Sequence, residues 1–509
     1  MLQRLKEDTV FYGSLFSTMI MLMWTIFNVD VFEKSTNQIL TFLLSKFSWF
    51  YFAVMLSFFY FCVWIAFSKY GKIKLGNDDD QPQYSFLSWL SMLFSAGMGI
   101  GLIFWGIAEP LNHYINPLGV ASASNGAKMF AMKKSFLHWG ISAWSCYSVL
   151  ALILAYYQFR KNKPALLSSI LIPLIGEKKA NGWIGKTIDI FTIFTTIAGV
   201  ITSLGLGTLQ INAGLNYLFG IPENLIVQLT IIGLVTIAYT ISATAGLDSG
   251  IQKLSNLNMI LAALLLVTAI IIGPTLDIFK NLVSGLVYYT GELVTNNNNI
   301  FLNGQWYENW TIFYWGWWIA WAPPVGIFIA RISKGRTIRE FLLGVLLVPS
   351  LLCFIWFATF GSIGFNVDLS IASQAIERTE LSFFVIMNHY PLGNILSGLA
   401  ILLLGTFFVT SADSATFVLG MLSSKGDLNP KTSRKITWGI IQAVLTIVFL
   451  LAGGLKMIQT VSIIAAFPFA FIMIAAMISM KKSLKYEIVN SYDKNDKKFG
   501  LLLRNMNAK

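Results

Sequence analysis

Apolar stretches of about twenty residues recur along the whole sequence, and they constrain the fold more than any other feature. Each can cross a hydrocarbon core of about 30 Å as a helix that rises about 1.5 Å per residue. Only 12% of the residues are charged, whereas soluble domains average about 25%. Because lipid offers the backbone no hydrogen-bond partners, such stretches are expected to be helical. The sequence therefore predicts an all-α, polytopic membrane protein.

Hydropathy predicts about twelve membrane spans. They cover about residues 9–30, 47–68, 86–108, 135–158, 188–217, 224–243, 257–276, 309–330, 340–362, 393–420, 436–453 and 458–480. The N-terminal residues run directly into a full-length span, so we expect no cleavable signal peptide.

The distribution of Lys and Arg predicts the orientation in the cell membrane. Most of the 36 basic residues fall in segments that share one side if the N-terminus is inside, which places both termini in the cytoplasm. The net charge of +12 is then explained by topology and by attraction to the anionic inner leaflet. We therefore expect no nucleic-acid partner.

Several chemical functions find no support in the sequence. Cys62, Cys146 and Cys353 all fall in apolar spans and are expected to be free, buried thiols. The three histidines are scattered along the chain, which predicts no metal-ligand cluster. There is no GxxxxGK[ST] motif and no paired acid and base, so we expect neither ATP-driven transport nor an enzyme. We also expect no cofactor.

Two spans contain residues that disfavour a continuous helix. Span 3 carries the sequence AGMGIG at residues 96–101, and span 8 carries Pro323 and Pro324, which remove two backbone donors. Interruptions at matching places in two halves are typical of transporters built from inverted repeats. We therefore predict five segments: a tail with two prefix spans at 1–85, repeats at 86–276 and 309–480, an outer interfacial amphipathic helix at 277–308, and a basic cytoplasmic tail at 481–509.

An unwound stretch in span 3 would expose backbone groups to a ligand. Gly97, Met98 and Gly99 are expected to offer N–H groups to an anion such as a carboxylate, while freed carbonyls could hold a cation. The alternative is close helix packing through small residues.

Aromatic residues concentrate in spans 4 and 8, away from the span ends where interfacial tryptophans usually lie. Their faces attract cations, and a box of rings can hold a quaternary ammonium group. The alternative is ordinary packing in the helix bundle. The candidate ring residues are Trp139, Trp144, Tyr147, Trp317, Trp318 and Trp321. Together with span 3, they suit a zwitterion such as glycine betaine, whereas a choline-like ligand would use the box alone.

Polar residues in span 10 suggest how transport is coupled to an ion. Thr410 and Ser411 offer hydroxyl oxygens, and carbonyls of Ser95 and Met98 could complete a sodium site if span 10 packs against span 3. The alternative is that these hydroxyls bond to their own helix.

Asp413 and Glu109 are the acidic residues nearest to span interiors, and charge inside a membrane is a functional hypothesis by default. Asp413 could carry a proton or pair with an arginine such as Arg331. The ion pair is the preferred interpretation.

Long stretches of the chain resemble the betaine/choline/carnitine transporter family. They are SAGMGIGLIFWGIAEP at 95–110, HWGISAW at 138–144, TSLGLGTLQINAGL at 202–215, FYWGWWIAWAPPVGIFIARISKGRTIREF at 313–341 and FFVTSADSATFVLGM at 407–421. The resemblance implies a LeuT-type inverted repeat of five helices and, often, a homotrimer. It also implies import of a quaternary-ammonium osmolyte, most closely glycine betaine, by sodium symport with alternating access.

The resemblance also assigns individual residues. It implies a substrate box of Trp139, Trp144, Tyr147 and Trp318, with Trp317 and Trp321 along the inner pathway. It implies a sodium site formed by Ser95, Met98, Phe407, Thr410 and Ser411. Thr196 matches a second sodium site, but Val200 and Pro324 stand at its other positions.

Alternative functions remain at this stage. Proton-coupled choline members of the family tend to carry Asp where this chain has Gly101, which favours sodium. Choline or carnitine uptake, by proton coupling or exchange, is the alternative transport function. A channel or a transporter-derived sensor would have similar hydropathy. A channel would lack a closed aromatic binding site, and a sensor would carry an additional signalling domain.

Overall fold

The computed structural model describes residues 8–97, 99–245, 252–295 and 304–506, with side chains described up to 487. The side chains of residues 94–97, 244, 245, 252, 294 and 295 also lie outside the described part. The chain is helical throughout the described ranges, apart from loops and an isolated bridge between Lys74 and Thr337.

Fourteen helices make up the scaffold within the described ranges. They are α1 (Thr9–Phe27), α2 (Val29–Phe67), α3 (Phe86–Gly97), α4 (Ile100–Ile115), α5 (Asn125–Trp139), α6 (Ile141–Ala155), α7 (Trp183–Phe219), α8 (Leu225–Ala245), α9 (Gln252–Ile272), α10 (Thr275–Thr295), α11 (Phe313–Arg331), α12 (Ile338–Phe365), α13 (Gly393–Leu422) and α14 (Thr432–Met506). Short helices in the connections include Leu369–Glu377 and Ser382–Met387.

Ten helical stretches in the described chain are long and apolar enough to cross a membrane. This confirms an all-helical, polytopic membrane protein. The difference from about twelve predicted spans has two sources. Span 3 is divided into α3 and α4, each too short to qualify alone, and spans 11 and 12 are joined in α14 across non-helical residues Gly453 and Gly454.

The predicted interruption of span 3 is confirmed. Helix α3 ends at Gly97 and α4 begins at Ile100, with Gly99 between them at φ −127° and ψ −118°. Gly101, whose flexibility was part of the argument, lies inside the first turn of α4.

The predicted interruption of span 8 is wrong, because α11 continues through both prolines. Pro324 lacks the N–H that would bond the carbonyl of Ala320. Gly199 of α7 packs against that carbonyl so closely that a β-carbon there would lie 2.7 Å from its oxygen. The absence of a side chain at Gly199 thus lets α7 approach α11 closely at the prolines. Every residue of α11 from Phe313 to Ala330 is buried.

A further interruption divides span 4, and the sequence analysis did not predict it. Gly140 separates α5 from α6 with φ −88° and ψ −137°. A side chain there would meet Phe354 and the carbonyl of Phe136 at 2.4 Å and 2.5 Å. The break therefore sits where the backbone of span 4 and α12 approach closely.

The amphipathic segment forms α10, which packs against α5 and α12. Asn281 Nδ2 donates to Ser362 Oγ at 2.9 Å, and Lys134 Nζ lies 3.0 Å from Glu292 Oε1. The predicted segment extended to residue 308. Residues 296–303 lie outside the described residues, and Gln305–Tyr307 form a short helix.

Candidate functional site

A cavity in the centre of the bundle joins the broken span 3 to the aromatic residues. The space inside it that is open to water is small, about 20 Å³. Its lining comes from the start of α4 and from α5, α6, α7, α11 and α13. The lining residues are Gly99, Ile100, Gly101, Trp139, Tyr147, Ser203, Trp317, Trp318, Trp321 and Ser411.

Trp318 is the centre of the aromatic cluster. Its ring stacks on Trp317 with centroids 4.9 Å apart and an interplanar angle of 13°. Trp139 presents an edge at 5.0 Å, and Tyr147 presents another at 6.0 Å. The predicted ring residues of spans 4 and 8 therefore meet in space, and their faces and edges border one cavity.

A hydrogen bond between two helices fixes the orientation of Trp318. Its indole Nε1 donates to the carbonyl of His138 at 2.8 Å. His138 lies in the last turn of α5, where carbonyls have no partner within the helix. The break at Gly140 thus provides the acceptor that holds a ring of the cavity.

The N-terminus of α4 opens into the same cavity. Gly99, Ile100 and Gly101 line it, and the first N–H groups of a helix lack intrahelical acceptors. A β-carbon on Gly101 would lie 2.7 Å from Trp139 Cη2 and 3.0 Å from Trp317 Cη2. Its absence lets the two indoles reach the helix terminus. The backbone N–H groups of a helix terminus and the aromatic rings are therefore adjacent.

Comparison with known proteins identifies the class of this site. Residues 9–488 match BCCT, the betaine/carnitine/choline family transporter. The chain belongs to this transporter family. It is 45% identical to the glycine betaine transporter OpuD of Bacillus subtilis (strain 168), over 94% of this chain and 95% of that protein.

Two other relatives are similar over comparable lengths. A probable glycine betaine transporter of Desulfitobacterium hafniense (strain Y51) is 41% identical, over 94% of this chain and 98% of the relative. An ectoine/hydroxyectoine transporter of Virgibacillus pantothenticus is also 41% identical, over 94% and 96%. The chain is thus a multi-pass membrane transporter and not an enzyme.

In this BCCT transporter, α13 packs against the break in span 3. A β-carbon on Gly99 would lie 2.8 Å from Ser411 Oγ and 3.7 Å from Phe407 Cβ. Thr410 Oγ1 accepts a hydrogen bond from Asn258 Nδ2 at 3.0 Å. The side chain of Ser95 and the whole of Met98 lie outside the described residues. Thr410 Oγ1 also donates to carbonyls of its own helix, those of Thr406 and Phe407. The sodium site therefore stays a prediction, with two of its residues, Phe407 and Ser411, placed beside the break.

Two residues assigned by resemblance lie apart from the cavity lining. Trp144 is fully buried and meets Tyr147 edge-on, with ring centroids 5.7 Å apart. Tyr147 lines the cavity and Trp144 does not. Thr196 Oγ1 donates to the carbonyl of Thr192 at 2.8 Å, the usual bond of a helical threonine to its own backbone. Neither contact tests a role in binding.

Asp413 does not form the ion pair that was preferred for it. Among the described residues, its carboxylate accepts a hydrogen bond from Ser242 Oγ, and no ion pair joins it to Arg331. The guanidinium of Arg331 lies 4.4 Å from the centroid of the Phe417 ring. Position along a span does not fix which faces of two helices meet.

The histidines are not all scattered, which corrects another prediction. His113 and His138 meet Glu109, and the ligating atoms of the three lie within 4.8 Å of one another. Glu109 and His113 are four residues apart on α4, a spacing the sequence displays. His138 comes from α5, so only the fold brings it in. The atoms facing one another in this cluster are hydrogen-bonded, as described below.

Proposed function

We propose that this transporter imports a quaternary-ammonium osmolyte, most closely glycine betaine, by sodium symport with alternating access. The observation that carries the proposal is the meeting of the α4 N-terminus with four indole rings and one phenol ring in one cavity. A helix N-terminus favours a carboxylate. Aromatic faces favour a methylated ammonium by about 0.5–2 kcal/mol per contact. Glycine betaine carries both groups.

The names of the relatives support this substrate class and add an alternative. Two of them are named for glycine betaine. One is named for ectoine and hydroxyectoine, so a cyclic zwitterion is the second candidate. Choline or carnitine uptake, by proton coupling or exchange, is the other alternative. Choline has no carboxylate for the helix terminus, whereas carnitine has one and differs from glycine betaine in its longer, hydroxylated chain.

Sodium is the proposed coupling ion. Ser411 lines the cavity and also lies against Gly99, so an ion held there would be adjacent to the substrate. One sodium ion entering down about 100 mV and a tenfold gradient supplies roughly 2.3 plus 1.4 kcal/mol. That energy supports about 500-fold accumulation of a neutral zwitterion. A second ion, with Thr196 as a candidate ligand, would support the square of this ratio.

The proposed architecture follows the family. We infer a LeuT-type fold of about twelve spans, with repeats at 86–276 and 309–480 after a prefix at 1–85, because membership of the family implies it. The continuous α11 removes one argument for the repeat, since only span 3 of the matched pair is divided. Helix α10 is proposed to lie at the outer interface of the membrane. Both termini are proposed to be cytoplasmic, with the 481–509 tail facing anionic lipid. The proposed assembly is a homotrimer.

Uptake by the purified protein in proteoliposomes tests the proposal. We expect radiolabelled glycine betaine to accumulate only under an inward sodium gradient, with ectoine competing more strongly than choline or carnitine. A proton gradient without sodium serves as the control. Uptake that persists without sodium would overturn the coupling, and choline outcompeting betaine would overturn the substrate.

A further inference from the structure

Glu109 is a buried carboxylate that lies directly behind the aromatic cavity without lining it. It is fully buried in α4. Its Oε2 accepts hydrogen bonds from Trp139 Nε1 at 2.6 Å and from the Tyr314 hydroxyl at 2.5 Å. Its Oε1 lies 2.7 Å from His138 Nδ1 and 3.3 Å from His113 Nε2.

These contacts are those of an ionised carboxylate. A carboxylate offers about four acceptor positions, and four groups face this one. The indole N–H of Trp139 can only donate. His138 donates from Nδ1 when its Nε2 accepts from Thr311 Oγ1, which lies 2.9 Å away. No group in this arrangement requires the carboxyl to carry a proton.

Both rings that bond Glu109 face the central indole of the cavity. Trp139 lies 5.0 Å from Trp318, and Tyr314 stacks over Trp318 with centroids 5.8 Å apart and an angle of 23°. His138, which bonds the other carboxylate oxygen, holds Trp318 through its carbonyl. Glu109 is therefore connected to three rings, directly to Trp139 and Tyr314 and through His138 to Trp318. The ring of Trp139 stands between its carboxylate and the cavity.

We propose that Glu109 provides the negative potential with which this cavity selects a quaternary ammonium group. This inference rests on the proposed function. A negative charge at the N–H edge of an indole makes its face more attractive to a cation, and the buried surroundings screen that charge weakly. The rings also stand between the carboxylate and the substrate. A cation that needs direct oxygen contact is disfavoured, whereas a methylated nitrogen, which has no N–H to donate, loses nothing.

The variant Glu109→Gln tests this inference because it removes the charge at nearly constant shape. Binding of glycine betaine and of 3,3-dimethylbutanoate, its isostere with carbon in place of the charged nitrogen, is measured by tryptophan fluorescence on purified protein. We expect the affinity for betaine to fall about tenfold, and that for the isostere to change by less than about twofold. Equal losses for both ligands, or no loss for betaine, would overturn the proposal.

The variant Asp189→Asn is the matched control. Asp189 is also a buried carboxylate in a span, but it accepts from the backbone N–H and hydroxyl of Ser168, away from the cavity. Its loss should leave the ratio of the two affinities unchanged. If Glu109→Gln is not recovered folded, Glu109→Asp keeps the charge and should keep most of the preference for betaine. Loss of that preference in Glu109→Asp would also overturn the proposal.

The outcome for the unmodified protein separates the two proposals. If it binds neither betaine nor ectoine, the proposed function fails, whatever the variants do. If it binds betaine and the ratio is the same in Glu109→Gln, only the role of Glu109 fails.

Discussion

The broken span 3 and the continuous α11 contain residues equally unsuited to helices, yet only one of them is interrupted. At Gly99 the chain leaves helical geometry where Ser411 and Phe407 of α13 pack against its backbone. At Pro323 and Pro324 the helix continues, and Gly199 covers a carbonyl that has lost its donor. The comparison shows that the neighbouring helix decides whether weak helical propensity becomes a break.

The two segments accordingly contribute different chemistry to the cavity. Span 3 contributes backbone at Gly99, Ile100 and Gly101, whereas α11 contributes the indoles of Trp317, Trp318 and Trp321. A continuous helix places its rings at fixed spacing, and an interrupted one exposes N–H groups. Substitutions should therefore act through side chains in α11 and through backbone geometry in span 3.

The largest expected effect is that of Trp318→Leu in α11. This change removes the ring that contacts Trp139, Trp317 and Tyr147. A desolvated cation–π contact is worth up to about 2 kcal/mol, so we expect betaine affinity to fall roughly thirtyfold. Substrate titration of tryptophan fluorescence and initial rates of uptake measure it.

The control for this variant is Trp438→Leu. Trp438 is also fully buried, and its Nε1 donates to Ser423 Oγ at 2.9 Å, but it does not line the cavity. Per folded molecule, it should transport with nearly unchanged affinity. A Trp318→Leu protein with normal affinity would show that α11 does not supply the binding rings.

An intermediate effect is expected for Gly99→Ala in span 3. The added carbon would lie 2.8 Å from Ser411 Oγ, and relieving such an overlap costs about 1–3 kcal/mol. Because the break and α13 must separate, we expect the sodium concentration for half-maximal uptake to rise about tenfold. Gly405→Ala on α13, where a β-carbon meets nothing within 4 Å, is the control. An identical sodium dependence in both variants would contradict a role for this contact.

The smallest effect is expected for Pro323→Ala. The helix is continuous at this position, so restoring the backbone donor should not change its course. We expect uptake within about twofold of the unmodified protein and no decrease in thermal stability. If uptake is lost, the geometry set by Pro323 is part of the mechanism, and the contrast between the two segments is weaker than described.

Much of the fold was predictable because it depends on the period and length of apolar runs. Each predicted span falls on a described helix, and the three cysteines are buried and free as expected. The breaks were less predictable. Gly140 is a single glycine in an apolar run, and its break depends on Phe354, which is distant in sequence. Pro323 and Pro324 led to the wrong prediction of a break in span 8. The residue that packs against α11 there, Gly199, is also on another helix.

The cavity was predictable in its ring residues but not in what supports them. Trp139, Tyr147, Trp317, Trp318 and Trp321 stand out by type and spacing, and all line one cavity. Glu109 was noted only as a charge near a span interior. Its bonds to Trp139, Tyr314 and His138 join residues from three helices, and no sequence period reports which faces of separate helices meet.

The burial and continuity of α11 restrict how substrate could leave. Helix α11 has no break between Phe313 and Arg331 and carries three indoles of the cavity. Its three indoles must then shift together, so the pocket cannot open by releasing one ring at a time through bending of this segment. Access to either side would require the surrounding helices to be displaced, and the breaks at Gly99 and Gly140, which both adjoin the cavity lining, are places where those helices can bend.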